Sequence, residues 1–424
     1  MRILVLGINY WPEQTGIAPF TTGRCEYLVA CGHEVVVCTT LPYYPEWHVA
    51  PGYKARVLVR EERNGVTILR SRIYVPQRVN SLRRVLHESS FVAASLIRAL
   101  VQKRPDAIFV VSPPLGLGLA AVILSRWWGI PYVFHVPDLQ PDAAVDLGML
   151  AAGPVVRGLY AVEGLAYRKA ALVSTLTEAM RQRIISKGIK ANKIKLFADW
   201  AAPEAFTVPL NGGGSSFRNS YRLNDRFIVL HCGNMGVKQG LDVLLDAADL
   251  SRGNSKIDYL LVGDGATQPS LKARAAARAL SNVRFMPLQP HAEFLDLLAA
   301  TDVSLITQQR TVADIVFPSK TVTLMAAGRP VIASVNRESE VARVVRDARA
   351  GLVVEPENPH SLLDAVNALW DNPQERHAMG LRARQYARSQ WDGDRILAQT
   401  AAQLVAAVEP SLKVDRELAS QVLN

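Results

Sequence analysis

The stretch Phe227–Leu245, FIVLHCGNMGVKQGLDVLL, most constrains what this chain can fold into. Phe227, Ile228, Val229 and Leu230 form a buried-strand run, and a loop holding Gly233, Gly236, Lys238 and Gly240 follows. Leu241, Leu244 and Leu245 then recur at helical spacing. Strand, glycine loop and helix in that order aim backbone N–H groups and a positive helix end at a phosphate. Lys238 adds a mobile full charge where phosphate oxygens would sit. An ordinary βα turn also carries glycines, and the loop matches neither GxxxxGK[ST] nor GxGxxG. The rest of the chain must decide between the two readings.

The same strand-to-helix alternation runs through the sequence. In the first part the apolar runs are Ile3–Leu6, Val35–Cys38, Val66–Leu69, Ala107–Val111, Tyr132–Phe134, Leu172–Ser174 and Ile194–Leu196. Helical spacing covers Ala18–Cys31 and Phe91–Val101. Asn211-Gly-Gly-Gly-Ser-Ser216 is the most flexible composition and reads as linker or loop. The pattern then restarts with Ile228–Leu230, Tyr259–Val262, Val283–Phe285, Val303–Ile306, Val331–Ala333 and Gly351–Val354, and turns helical from Ser361. At 424 residues the chain exceeds what one core serves. Repeated βα units imply parallel sheets covered on both faces. The expected architecture is α/β: two Rossmann-like, doubly wound domains facing a cleft. Residues 1–205 form the first domain and 206–385 the second, while helices in 386–424 pack back on the first. Ligands of such sheets bind beyond the carboxyl ends of the strands.

Composition narrows the partners. A hydrophobic content of 49% with 20% charged residues describes a globular chain. The four cysteines, Cys25, Cys31, Cys38 and Cys232, show no metal-ligand spacing and read as buried hydrophobes in a reducing compartment. The opening MRILVLG reads as a first strand, not a signal peptide. Pro113, Pro114, Gly116 and Gly118 interrupt the uncharged run Ala107–Ser125, which argues against a membrane span. Residues 1–200 hold 24 Lys+Arg against 14 Asp+Glu, while the remainder is balanced at 24 of each. Lys54–Arg104 alone carries twelve basic residues against Glu61, Glu62 and Glu88. Nucleic acid, anionic lipid and a phosphorylated acceptor would all satisfy that asymmetry. Tyr74 and Phe91 are too few aromatics for base stacking, so an anionic membrane surface is the expected partner and nucleic acid is not.

The longer motifs carry a resemblance. In the second half GNMGVKQGLDVLLDAA, LLVGDGATQPSLKARA, NVRFMPLQP, ATDVSLI, FPSKTVTLMAAGRPVIAS and ESEVARVVRDARAGLVVEPENP follow in order. This half resembles the donor half of GT-B glycosyltransferases of family 4. In the first half TGIAPFTTGRCEYLVACGHEVVVCTT, PYYPEWHV, RPDAIFVVSPP and VFHVPDLQPDAAVDLGML agree. These stretches look most like bacterial exopolysaccharide glycosyltransferases of the colanic-acid fucosyltransferase type.

The resemblance implies roles residue by residue. Gly233 and Gly236 would let backbone approach the donor diphosphate, with Lys238 as the family's lysine. Asn234 stands where the family often has arginine, and Lys320 of FPSK is the candidate replacement, because Pro318-Ser319 opens the next helix. A solvated first-turn lysine is the other reading. Gly263, Asp264 and Gly265 would receive the nucleotide, and Pro287 and Leu288 would face its base beside Phe285, which reads as core. Two family glutamates are replaced by Ile315 and Thr323, with Asp314 one residue from the first. In the first half Gly16 would bring backbone to donor phosphate and acceptor. His135 matches a family histidine facing the reacting centre, although a lone histidine after a strand is commonly packed. Asp138 or Asp142 would bind acceptor hydroxyls, with helix capping as the other reading of Asp142.

The implied chemistry is transfer with retention and without a metal or other cofactor, from a GDP- or UDP-linked nucleotide-sugar. Fucose or a related hexose would pass to a polyprenyl-diphosphate-linked or oligosaccharide acceptor. No paired carboxylates of the glycosidase kind stand out. Lys238, Lys320 and glycine N–H groups would stabilise charge growing on the leaving diphosphate. The expected location is cytoplasmic, peripheral at the inner face of the plasma membrane. A nucleotide-sugar epimerase of the same fold is the enzymatic alternative, and a basic membrane- or nucleic-acid-binding module the non-enzymatic one.

Overall fold

The computed structural model describes residues 1–78, 80–146, 148, 150–151, 153–210, 216–312 and 317–422, with side chains as far as 409. By contact the chain divides into two compact units, Met1–Ala198 with Asp394–Asn424, and Asp199–Gly393. Of the glycine-serine run, residues 211–215 lie outside the described residues, and Ser216 opens the short helix Ser216–Ser220.

The first unit holds eight strands: β1 (Arg2–Gly7), β2 (Glu34–Thr40), β3 (Leu58–Arg63), β4 (Val66–Ser71), β5 (Ala107–Val111), β6 (Tyr132–His135), β7 (Leu172–Thr175) and β8 (Ile194–Leu196). Their order is β3-β4-β2-β1-β5-β6-β7-β8. Leu4 of β1 sits between Val36 and Ile108, so the winding reverses at the central strand. β5 and β6 are buried throughout because helices cover both faces, which explains their unbroken apolar sequences. Ile3, Val5, Val37 and Phe109 form a core with Ala401, Leu404 and Val408 of the helix Gly393–Val422.

One strand departs from the sequence reading. β3, LVREER, pairs antiparallel with β4. Four consecutive charged residues, Arg60 to Arg63, hide it from an apolar-run criterion. Asn64 (φ 47°) and Gly65 (φ 78°) make the connecting turn, the Asn-Gly pair that a primed hairpin turn requires.

The second unit holds β9 (Phe227–Cys232), β10 (Ile257–Val262), β11 (Val283–Met286), β12 (Val303–Thr307), β13 (Val331–Ser334) and β14 (Gly351–Val354). All are parallel, in the order β11-β10-β9-β12-β13-β14. β9 is central and buried at every position. Val229, Leu261 and Leu305 pack against Leu244, Leu245, Leu362 and Val366 of the covering helices. Each such side chain contributes roughly 1.5–3 kcal/mol by leaving water. The loops after β9, β10 and β12 are therefore carried on a rigid edge.

Candidate functional site

The β9 loop is held by backbone. Gly233 donates to the Val262 carbonyl at 2.8 Å, and Met235 donates to the Asp264 carbonyl at 2.8 Å. Thr267 returns its own N–H to the Met235 carbonyl at 2.9 Å, and its hydroxyl donates there at 2.6 Å. The two loops approach so closely that only glycine fits. A Cβ on Gly263 (φ 140°) would lie 2.0 Å from the Gly233 oxygen, and one on Gly265 (φ 156°) 2.5 Å from the Met235 backbone. Gly240 (φ 56°) then turns the chain into the helix Asp242–Leu250, and Gln309 after β12 donates to the Lys238 carbonyl at 2.9 Å. Three loops are thus bonded into one surface, with Lys238 half-buried on it and Asn234 exposed.

This geometry corrects one expectation. The Gly233 N–H is already committed to Val262, and the Gly236 N–H reaches the Gln239 side chain at 3.1 Å. Gly233 is set by its backbone angle (φ 106°), with open space where a Cβ would stand, and its N–H is spent inside the loop pair, where such a group must be bonded internally.

Lys320 opens the helix Lys320–Ala326, and its Nζ lies 3.3 Å from Nδ1 of His231, near the end of β9. Burial pulls the lysine down to about 8, opposed by the neighbouring Cys232. His231 is 0% exposed. Burial, and secondarily the Lys320 charge, hold its imidazole well below the ordinary value. Burial raises Cys232, with Lys320 opposing. Lys320 therefore stands at the β9 edge rather than on a solvated helix face. Nothing in the sequence pairs it with His231, because 89 positions separate them.

Two family models match the chain: Glycosyl transferase 4-like domain over residues 15–200, and Glycosyl transferases group 1 over residues 215–386. It is 34% identical over 408 residues to the putative colanic acid biosynthesis glycosyl transferase WcaI of Escherichia coli K12, spanning 94% of this chain and 98% of that one. The chain belongs to this family of glycosyltransferases. The fold has solved counterparts. Sucrose-phosphate synthase of Thermosynechococcus elongatus superposes with a TM-score of 0.74 at 17% identity, over 96% of this chain and 99% of that one. Anabaena HepE in complex with UDP superposes at 0.67 and 19% identity, over 96% and 100%. The two parallel-sheet units are those of the GT-B fold.

Within this glycosyltransferase the remaining candidates fall as follows. Asp264 is exposed, and its carboxylate accepts the Gly265 N–H at 2.7 Å. Pro287 and Leu288 are exposed just beyond β11, while Phe285 packs against the core. Pro318, Ser319 and Thr323 are half-buried around the start of the Lys320 helix. Asp314 and Ile315 lie outside the described residues. A groove of about 460 Å3 is lined by Lys272, Leu280, Val283 and Phe285, in the helix Gln268–Ala277, β11 and the turn between them. Among the described residues no group of three or more His, Cys, Asp or Glu is placed to hold a metal.

In the first unit Gly16 (φ 65°) precedes the helix Ala18–Ala30. Its loop is braced by Glu13, which sequence reading passed over. Glu13 is 8% exposed and accepts the N–H groups of Tyr43 at 2.9 Å and Tyr44 at 2.8 Å. His135 ends β6 as its position requires, but its ring is 1% exposed, between Phe109 and Phe197. Its Nδ1 lies 3.0 Å from the Ser174 hydroxyl. Burial and the Arg24 charge hold it well below its ordinary pKa, so this imidazole is neutral. The packed reading of a histidine after a strand is the one observed. Asp138 is half-buried near Arg84, whose pKa is raised, against burial, chiefly by Glu88 and to a lesser extent by Asp138. Asp142 is no helix cap. It is buried and paired with Arg183 at 2.9 Å and with Lys187.

Proposed function

We propose that this glycosyltransferase moves a hexose, fucose or a relative of it, with retention, from a GDP- or UDP-linked donor to a polyprenyl-diphosphate-linked or oligosaccharide acceptor in cell-surface polysaccharide assembly. The observation that carries the donor reading is the β9 edge: a glycine-packed loop pair beside Lys238, with Lys320 behind it. The relative's name, colanic acid biosynthesis, supports the polysaccharide assignment. HepE, similar in fold, is in complex with UDP, and that supports a nucleoside diphosphate as the leaving part of the donor.

The reaction follows from charge. As the bond from the anomeric carbon to the diphosphate breaks, negative charge grows on the leaving phosphate. Lys238 and Lys320 stabilise it there, more strongly than water could. The acceptor oxygen bonds to the same face of the sugar, and its proton passes to the departing phosphate oxygen. No metal takes part. Asp264 and Gly265 receive the nucleoside, with Pro287 and Leu288 toward the base. Roles for Gly16, His135 and Asp138 rest on family resemblance, and His135, being neutral and packed, orients rather than exchanges protons.

The acceptor class brings a membrane with it. Among the described residues no helix is long and apolar enough to cross one. The helix Ser81–Leu100 nevertheless exposes Leu82 (70%), Val85 (59%), Leu86 (52%) and Ile97 (65%) on the side opposite buried His87, Phe91, Ser95 and Ala99. Exposed Arg78, Arg83, Lys103 and Arg104 flank that stripe. Apolar residues rimmed by cations suit an anionic bilayer surface. A panel of GDP- and UDP-sugars tested for thermal protection, with anomeric analysis of the product, checks the donor reading. Protection by neither nucleotide class ends it. Sedimentation with anionic and neutral vesicles checks the surface, and Ile97→Glu should abolish pelleting with the anionic ones.

A further inference from the structure

Lys320 has an unusual partner. A lysine ammonium carries three donors and no acceptor, so Nζ donates and His231 Nδ1, 3.3 Å away, accepts. The imidazole is then neutral, with its proton on the buried Nε2, and the Asn234 backbone is the ring's other hydrogen-bonding neighbour. Among the described residues no carboxylate pairs with Lys320. The titratable groups facing it are His231 and Cys232, both of β9. A carboxylate in place of His231 would neutralise the ammonium and repel any approaching phosphate. An imidazole fixes the direction of the ammonium and does neither.

We propose that His231 is the positioning residue of the donor site: a neutral acceptor that holds the Lys320 ammonium at the β9 edge with its full charge directed to the diphosphate of a nucleoside diphosphate. The idea rests on the donor reading above, and it adds a linkage to protons. Lys320 sits near 8 in the free protein, whereas a diphosphate beside it favours the charged form. Binding above that pH therefore takes a proton from solution, and affinity falls by up to tenfold per pH unit. The diphosphate's own last proton, with a pKa of about 6, is already gone in that range.

The test is calorimetric titration of UDP and GDP between pH 7 and 9.5, in buffers of different ionisation enthalpy. Wild type should take up close to one proton per ligand at pH 9, and Lys320→Ala none. His231→Phe, which fills the site without an acceptor, should weaken binding at pH 7.5 by about tenfold and move the onset of the alkaline decline to lower pH. His231→Asn, whose Oδ1 can stand in for Nδ1, should recover most of both. No proton uptake by the wild type removes the linkage, whether or not any variant folds. Wild-type affinity and pH profile in folded His231→Phe reduce His231 to packing. If Lys320→Ala still loses binding in that case, the donor reading stands and only the positioning role falls. Unchanged binding in Lys320→Ala takes the donor reading down first.

Discussion

The loops after β1 and after β9 occupy the same place in two doubly wound sheets, yet they are braced by opposite means. The β1 loop leans on a buried carboxylate. Glu13 gathers N–H groups from Tyr43 and Tyr44 and the Asn9 amide at 2.8 Å, while buried Arg70 donates to the carbonyls of Trp11 and Thr40. The β9 loop leans on glycine. Gly263 and Gly265 bring the β10 loop against Gly233 and Met235, and backbone hydrogen bonds lock the pair. A carboxylate brace sets a charge inside the loop, and the buried Arg70 guanidinium beside it is taken up in offsetting that charge. A backbone brace needs no charge, so the lysines beside it can serve a ligand.

The sharpest way to break this contrast is to add a methyl group. Gly263→Ala drives Cβ to 2.0 Å from the Gly233 oxygen at a φ of 140°, where L-residues are strained. Thermal or denaturant unfolding should show a loss of roughly 3 kcal/mol. Nucleoside-diphosphate binding should disappear with the loop pair. In Gly16→Ala the new Cβ meets Tyr44 at an ordinary 3.6 Å, and only the φ of 65° is unfavourable. That change should cost about 1 kcal/mol. Equal losses at the two glycines would mean the loops are braced alike.

Next in size are the lysines. Lys238→Ala should lower transfer by about a hundredfold, on the order of 2.7 kcal/mol of transition-state stabilisation, with unfolding unchanged. Lys320→Ala should weaken UDP and GDP binding by one to two orders of magnitude, about 2 kcal/mol, in calorimetric titration. Lys320→Arg should restore part of it, because a planar fork does not reproduce a point charge. Wild-type turnover in a folded Lys238→Ala protein would reduce the β9 loop to a turn.

The contrast also marks what the sequence could reveal. Strands buried on both faces read as continuous apolar runs, so Phe227–Cys232 and Ala107–Val111 were visible. β3 was not, because four of its six residues, Arg60 to Arg63, are charged, although Asn64-Gly65 announced its hairpin. Glycine spacing exposed the β9 loop, but not which N–H groups the β10 loop would consume. The Lys320–His231 pair and the Glu13 brace were illegible for one reason. Each joins residues that only sheet formation brings together, 89 positions apart in the first case and about 30 in the second.

The smallest effect tests the β1 side. Glu13→Gln keeps a carbonyl oxygen for the Tyr43 and Tyr44 N–H groups and removes the charge. Burial raises the Glu13 carboxyl above its ordinary 4.5, and the N–H donors offset only part of that rise. A carboxyl raised in the folded state holds its proton longer there than in the unfolded chain. Its contribution to stability is therefore present below the ordinary value and is lost as pH rises through the folded one. Glu163 and Asp146 of the same unit are also raised, so Glu13→Gln should flatten part of that decline and leave the rest. Near pH 7 the exchange should stay within about 1 kcal/mol, since a lost charge-assisted bond is set against a relieved buried charge. Amide exchange at Tyr43 and Tyr44 should quicken, while UDP and GDP affinity stays at the wild-type value. A tenfold change in nucleotide affinity would show that the carboxylate-braced loop takes part in donor recognition, and the division of labour between the two loops would fail.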